Sequence, residues 1–220
     1  MKIAAAPLHP LGTLPRSRGP RDSTGLIITS APANRVALPA GRTLLIDWAI
    51  SPASPCIDIL QGMARVSCPC PAEGGMTLAF LQAGDQLRSD RLSCPVVCLE
   101  ALTTVVLGRG VEPFENGGLD PVQDWTLQLL RIRHLKSAEQ RLHALLALLV
   151  LRLGRRNGSW CDLPFRLSHE RIGELIGTTR VTCTRMLSRI RKAQLLEVPS
   201  GDSGLRLAPE LIESTPLTGI

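Results

Sequence analysis

Arginine and hydroxyl side chains recur along one short stretch near the end of the chain. Residues 179–192 include five basic residues and no acidic residue. A guanidinium group can donate two parallel hydrogen bonds to O6 and N7 of guanine, and hydroxyl groups bind phosphate oxygens. These residue types predict a surface that reads nucleic acid. A helical hairpin with a solvated basic face is the simpler alternative.

The residues around this stretch predict two short helices joined by a tight turn. Ser168 is a good N-cap for the first helix, and Gly177 suits a left-handed residue at its C-terminal end. Thr178 or Thr179 can cap the second helix. Each helix has one apolar side, formed by Ile172, Leu175 and Ile176 in the first and by Cys183, Met186, Leu187 and Ile190 in the second.

A β-hairpin is predicted directly after the second helix. Two short apolar segments, 195–198 and 205–207, are separated by a link rich in Pro, Gly, Ser and Asp. Two helices about a turn, followed by a hairpin, are typical of a winged helix-turn-helix. The run 172–198 resembles the DNA-binding domain of the cyclic-AMP receptor protein/FNR (Crp-Fnr) family of bacterial transcriptional regulators. Residues 177–187 are most similar to the cyanobacterial branch that includes the global nitrogen regulators.

The resemblance implies an α+β protein with three parts after a basic arm. Residues 1–25 are rich in Pro, Gly, Ser and Arg and predict the flexible arm. Over residues 26 to about 107 of the next part, 26–118, short apolar runs alternate with turn residues, which predicts seven or eight strands in a jelly-roll or small barrel. In the family this part is a β-roll sensor of the cyclic-nucleotide-binding type. A dimerisation helix at 119–136 and the winged helix-turn-helix at 137–220 follow.

The predicted sensor lacks the phosphate-binding motif of the family's cyclic-nucleotide sites. Residues 84–91 read Gly-Asp-Gln-Leu-Arg-Ser-Asp-Arg, without the expected Gly-Glu-Leu, and Asp90 would repel a phosphate. Arg88 and Arg91 could still bind an anion, or lie on a solvated loop. The second arginine that the nitrogen regulators use for 2-oxoglutarate has no clear counterpart. We therefore expect neither cyclic AMP nor another cofactor.

The predicted dimerisation helix follows a linker at 108–118. Its apolar stripe consists of Trp125, Leu129, Ile132 and Leu135. In the family this helix pairs with its copy in a second subunit, so the resemblance implies a homodimer. A core helix packed within its own subunit is the alternative.

The resemblance also assigns roles in DNA binding. Arg180 and Arg185 are predicted to read bases, with Arg180 on guanine. Val181 replaces the Glu of family members that read G-T-G-A, so it should contact a thymine methyl and favour GTA-N8-TAC. The phosphate candidates, besides the wing near 200–203, are Ser168, His169, Thr179, Thr182 and Arg189. An isolated surface histidine such as His169 can also have no role in DNA binding.

Composition limits the remaining possibilities. The net charge of +6 suits a polyanionic partner, and 44% apolar residues allow a core without metal or disulfides. The seven cysteines do not have zinc-site spacing, and no secretory signal or bilayer-long apolar run is present. We expect a cytoplasmic, non-membrane protein that is not an enzyme, with double-stranded DNA, a second copy and RNA polymerase as partners. The alternative is a helix-turn-helix module that contacts protein and has no DNA target.

Overall fold

The computed structural model describes residues 26–27, 35–49, 56–69, 75–110, 120–199 and 204–213 of the 220-residue chain. The predicted basic arm at 1–25 and the wing tip at 200–203 lie outside these residues.

The N-terminal half consists of two sheets of short strands that share one apolar core. In chain order the strands are β1 (Leu26–Ile27), β2 (Arg35–Leu38), β3 (Thr43–Asp47), β4 (Cys56–Gln61), β5 (Met63–Cys68), β6 (Met76–Gln82), β7 (Gln86–Arg88), β8 (Val96–Ala101) and β9 (Val105–Gly110). One sheet has the order β1-β3-β8-β5-β6 and the other β2-β9-β4-β7. On β8 alternate residues are buried, as expected for a strand with one face on a core. This confirms the predicted β-roll.

The last strand of the roll includes residues that were predicted to lie in a linker. β9 continues to Gly110, so the linker prediction was wrong for 108–110, and 111–119 lie outside the described residues. The glycines belong to the strand because the neighbouring strand leaves no room for larger residues. A Cβ at Gly110 would lie 2.5 Å from Cys56 Sγ on β4.

Two helices connect the roll to the rest of the chain. They are α1 (Pro121–Arg133) and α2 (Ala138–Leu153). The Asp120 side chain caps α1 by accepting from the backbone N–H groups of Val122 and Gln123, at 2.9 and 3.3 Å. Ser137 and Gln140 form a capping box at the start of α2. No helix in the described part of the chain is long and apolar enough to cross a bilayer.

The predicted dimerisation stripe of α1 packs inside its own subunit. Trp125, Leu129 and Ile132 are only 3%, 7% and 1% exposed, and Leu135 is half-buried against the same core. In this chain α1 lies on β6 and the stripe is the side that faces the roll, the position expected of a core helix packed within its own subunit, so the role of these residues in a subunit interface stays a prediction. The exposed apolar residues of α1 are Leu127 and Leu130.

The C-terminal part has the predicted winged helix-turn-helix architecture. It comprises β10 (Arg155–Asn157), β11 (Trp160–Leu163), α3 (His169–Ile176), α4 (Arg180–Lys192), β12 (Leu196–Glu197), β13 (Leu205–Leu207) and α5 (Pro209–Glu213). The strands form one antiparallel sheet in the order β10-β11-β13-β12. The β12–β13 hairpin follows α4 directly, as a wing does.

One hydrophobic core runs from the roll into this part. Phe80 on β6 meets Trp125 of α1 edge-on at 5.2 Å between ring centroids, and it stacks on Phe165 at 6.4 Å. Phe165 precedes α3, so aromatic contacts join the roll, α1 and the helix-turn-helix.

Candidate nucleic-acid interface

The turn between α3 and α4 has the backbone conformation that the sequence predicts. Gly177 lies in the left-handed region, with φ 65° and ψ 53°, and ends α3. The N–H of Thr178 then donates to the carbonyl of Gly173 at 2.9 Å, which closes the turn. The apolar sides of α3 and α4 are buried against one another and the core, so the two helices pack as one unit.

Hydroxyl groups cap both helices at exposed positions. Ser168 Oγ accepts from the N–H of Arg171 at 3.1 Å, and Thr179 Oγ1 accepts from the N–H of Thr182 at 3.2 Å. The Thr179 and Thr182 hydroxyls are also 3.0 Å apart. Exposed helix N-termini present backbone N–H groups to anions, so these predicted phosphate candidates stand where phosphates can approach.

The outward face of α4 presents the predicted base-reading residues to solvent. Arg180, Arg185 and Arg189 are exposed, and no hydrogen bond or ion pair joins their guanidinium groups to other described residues. Val181 is 59% exposed. The opposite face of α4 is buried through Cys183, Met186, Leu187 and Ile190. The helix α4 thus packs on the core through its apolar side and exposes arginine side chains on the opposite side.

His169 contacts the outward face of α4. Its Nδ1 lies 2.8 Å from Thr184 Oγ1. The Thr184 hydroxyl donates its one proton to the Arg180 carbonyl at 2.9 Å, so Nδ1 must donate to Thr184. The sequence did not indicate Thr184 as the partner of His169. The two residues are 15 positions apart, and only the packing of α3 on α4 brings them together.

The effector candidates Arg88 and Arg91 lie beside Asp90. Arg88 donates through Nε and Nη2 to the two carboxylate oxygens of Asp90, at 3.1 and 2.8 Å. Arg91 Nε is 3.6 Å from the same carboxylate. The Arg88 hydrogen bonds hold the pKa of Asp90 below its ordinary value, so Asp90 stays charged and occupies the fork of Arg88. Arg88 is not on a loop: it ends β7.

The cysteine side chains are free thiols in the part of the chain that the structure describes. Burial raises the pKa of the Cys56, Cys98 and Cys183 thiols, which lowers their thiolate fraction. Burial likewise raises the pKa of Cys94, with smaller contributions from the charge of Cys68 and a hydrogen bond to it. Among the described residues no His, Cys, Asp or Glu side chains form a group of three that could hold a metal ion, and Cys70 lies outside them.

Comparison with known proteins places both halves of the chain in one family. Residues 36–122 match the cyanobacterial CRP family N-terminal domain, and residues 140–208 match the Crp-like helix-turn-helix domain. The regulatory protein CysR of Synechococcus elongatus is 32% identical over 174 residues, which cover 75% of this chain and 84% of that protein.

Solved structures show the same fold at lower identity. A CRP/FNR-family transcriptional regulator from Thermus thermophilus superposes with a TM-score of 0.61 at 19% identity, over 82% of this chain and 98% of that one. FixK2 from Bradyrhizobium japonicum gives 0.60 at 18% identity, over 82% and 96%. The reading helix, the β-roll and these matches agree: the chain belongs to the Crp-Fnr family of helix-turn-helix transcriptional regulators.

Proposed function

We propose that this regulator binds DNA as a homodimer on a near-palindromic GTA-N8-TAC site, with one α4 helix in each of two successive major grooves. The observation that carries the proposal is the outward face of α4, whose three arginines are exposed and unpaired among the described residues. Side chains that are not neutralised within the chain are available to bases and phosphates.

Each residue of that face has a role that follows from its place on the helix. The first turn of a recognition helix meets base edges, so Arg180 donates to guanine O6 and N7. Val181 carries no hydrogen-bonding side-chain atom and packs on a thymine methyl. Arg185, one turn further along, reads a second base.

Phosphate contacts would surround this base-reading strip. They come from residues at the two helix N-termini and on the flank of α4, namely Ser168, His169, Thr179, Thr182 and Arg189. Their part is to set the position of the helix in the groove rather than to select a sequence.

An exposed stripe on α1 supports the homodimer. Gln123, Leu127, Leu130 and His134 follow one another at spacings of four, three and four residues and are all exposed. Leu127 and Leu130 are 50% and 53% exposed, and this spacing is that of a coiled-coil seam. The face of α1 opposite the roll is therefore the one that meets a second copy.

Two further parts of the proposal concern small molecules and other partners. The Asp90 carboxylate accepts both hydrogen bonds of the Arg88 guanidinium group and places a negative charge beside it. Because this charge would repel a phosphate, we propose that cyclic AMP is not the effector. As a DNA-binding regulator the protein acts in the cytoplasm, contacts RNA polymerase and has no catalytic role.

Selection from random duplex DNA tests the proposed site. The expected result is enrichment of paired GTA and TAC half-sites, with an affinity that falls steeply as salt rises, because each neutralised phosphate releases counterions. Enriched sequences without paired half-sites would refute the mechanism. Binding that is absent, or indifferent to salt, would favour the alternative of a protein-contact module.

A further inference from the structure

A buried polar chain links the β-roll to the helix that precedes the reading helix. Arg65 on β5 is 4% exposed and donates through Nε to Glu100 at 2.7 Å and through Nη1 to Thr77 Oγ1 at 2.8 Å. Thr77 is 8% exposed, and its hydroxyl reaches Glu174 Oε1 on α3 at 3.4 Å. Because Arg65 fills an acceptor position of this hydroxyl, its proton is free to point to Glu174.

A β-bulge in the β5–β6 pair places the side chains of Thr77 and Phe80 on the same side of the sheet. Thr77 is opposite Ser67 and Phe80 is opposite Arg65, so three steps on β6 match two on β5. Directly opposite residues share a face of the sheet, and the extra residue therefore puts Thr77 and Phe80 on one side. That side meets the helix-turn-helix, with Thr77 on Glu174 and Phe80 on Phe165.

Glu174 also connects α3 to α1. Its backbone carbonyl accepts from Arg133 Nη1 at 2.8 Å, and its Oε2 accepts from Arg171 within α3. Meanwhile α1 is held on β6, where Thr126 Oγ1 donates to the carbonyl of Leu78 at 3.1 Å. The strand β6 thus holds, through different residues, both the proposed dimer helix and the unit that reads DNA.

We infer that Thr77 and Glu174 are specificity-determining positioning residues that fix the permitted spacing between the two DNA half-sites. The inference rests on the proposed function, since it concerns a dimer on paired half-sites. Each added base pair moves one half-site by about 3.4 Å along the duplex and turns it by about 35° around it. Two reading helices held rigidly on one dimer accept few such placements. Helices that lack the Thr77–Glu174 bond, and are held on β6 by the Phe80–Phe165 contact without it, accept more, with unchanged contacts to each half-site.

The test uses full-length Thr77→Val, which keeps the shape and removes the hydroxyl, and Thr77→Ser, which keeps the hydroxyl. Binding is measured on duplexes whose half-sites are separated by about six to ten base pairs, and on duplexes with a changed half-site base. For the unsubstituted protein and Thr77→Ser we expect a loss of about tenfold or more for one base pair of altered spacing. For Thr77→Val the loss should be below about threefold, with the same discrimination against wrong bases.

Glu174→Met serves as the second variant, because it removes the oxygens that Thr77 and Arg171 contact but keeps the approximate length of the side chain. Its spacing profile should broaden as that of Thr77→Val does. If the unsubstituted protein selects spacing sharply and both variants do so equally, the inference is overturned and the proposed function stands. If the variants lost discrimination between bases as well as between spacings, the contacts of the reading unit would be disturbed in general, and that result would also overturn the inference. Indifference of the unsubstituted protein to spacing would overturn both proposals.

Discussion

Thr184 on the outward face of α4 is hydrogen-bonded to His169, the first residue of α3, with 2.8 Å between Oγ1 and Nδ1. Since Thr184 donates to the Arg180 carbonyl, the His169 ring must donate through Nδ1, and Nε2 can donate to a phosphate only when both ring nitrogens carry a proton. The bond therefore orients the imidazole ring beside the reading helix.

Thr184→Val should weaken DNA binding by about three- to tenfold, because a hydrogen bond of this kind contributes roughly 1 kcal/mol and orients a phosphate contact. The loss should be equal for matched and mismatched sites. Thr184→Ser keeps the hydroxyl and should bind like the unsubstituted protein. Fluorescence anisotropy on both sites measures this, and equal losses in the two variants would contradict the role of the hydroxyl.

Truncation of Arg180 and truncation of Arg189 should affect DNA binding in different ways. Arg180→Ala should remove discrimination at the guanine position, worth about 1–3 kcal/mol. Arg189→Ala should weaken binding evenly across sequences and lower the logarithmic salt slope by about 1. Titrations over a range of salt on sites that differ at the guanine separate the two effects. An Arg180→Ala variant that keeps the guanine preference would remove this residue from the base-reading role.

Val181→Glu should change the base preference within the half-site, at the position that Val181 contacts. A carboxylate accepts a hydrogen bond from the N4 amino group of cytosine, whereas the present isopropyl group packs on a thymine methyl. We expect the third position of the half-site to move from A·T towards G·C. Val181→Ile keeps an apolar contact and should retain GTA. The measurement is site selection with all three proteins, and an unchanged site for Val181→Glu would show that this residue does not face the bases.

Asp85 links stability to pH in the turn after β6. Its Oδ2 accepts from the Gln82 N–H at 2.8 Å. Burial raises the pKa of this carboxyl above its ordinary value, partly opposed by that hydrogen bond and by the charge of Arg152. A raised pKa in the folded state means that the stabilising contribution is complete below the unfolded pKa and is lost as pH rises through the folded pKa. The charged carboxylate of Asp85 therefore destabilises the folded protein at neutral pH.

Asp85→Asn keeps an acceptor oxygen and removes the charge. Its unfolding midpoint should be higher than that of the unsubstituted protein at neutral pH, and the difference should shrink as pH falls and vanish below about pH 3, where the carboxyl is protonated in both the folded and the unfolded state. Thermal melts at several pH values measure this. A difference that grows towards acid would reverse the sign of the argument.

The reading unit was predictable because its signals are local. Ser168 and Gly177 act on backbone groups within a few residues, and the stripes of α3 and α4 are unambiguous. The helix α1 was different, since apolar residues occur on more than one of its sides. Only its packing on Phe80 shows that Trp125 faces the roll and that Leu130 is left exposed.

Long-range neighbours also explain the other differences between prediction and structure. Glycine usually indicates a loop, but Gly110 lies in β9 because Cys56 on β4 fills the space of a side chain. The contact of Thr77 with Glu174 joins residues 97 positions apart. No spacing rule within one helix or strand could have indicated it.

The exposed stripe of α1 leads to the last prediction, on the oligomeric state. Leu130→Lys and Leu127→Lys each replace one of the two apolar residues of the stripe with a charge, so each should convert the dimer to a monomer in analytical ultracentrifugation. Affinity for paired half-sites should then approach that for one half-site. Leu151→Lys is the matched control, because Leu151 is 60% exposed on α2, outside the stripe, and this variant should stay dimeric.

Trp125 distinguishes the two faces of α1. It is 3% exposed within the subunit, and Trp125→Ala should cost about 3–5 kcal/mol of folding free energy as buried aromatic truncations do. Destabilisation of the monomer itself, seen as a lower denaturant midpoint in the Leu130→Lys background, is the expected result. If Leu130→Lys remains dimeric while a Trp125 substitution yields a folded monomer, the seam lies on the buried side after all, and α1 must leave the roll when two subunits meet.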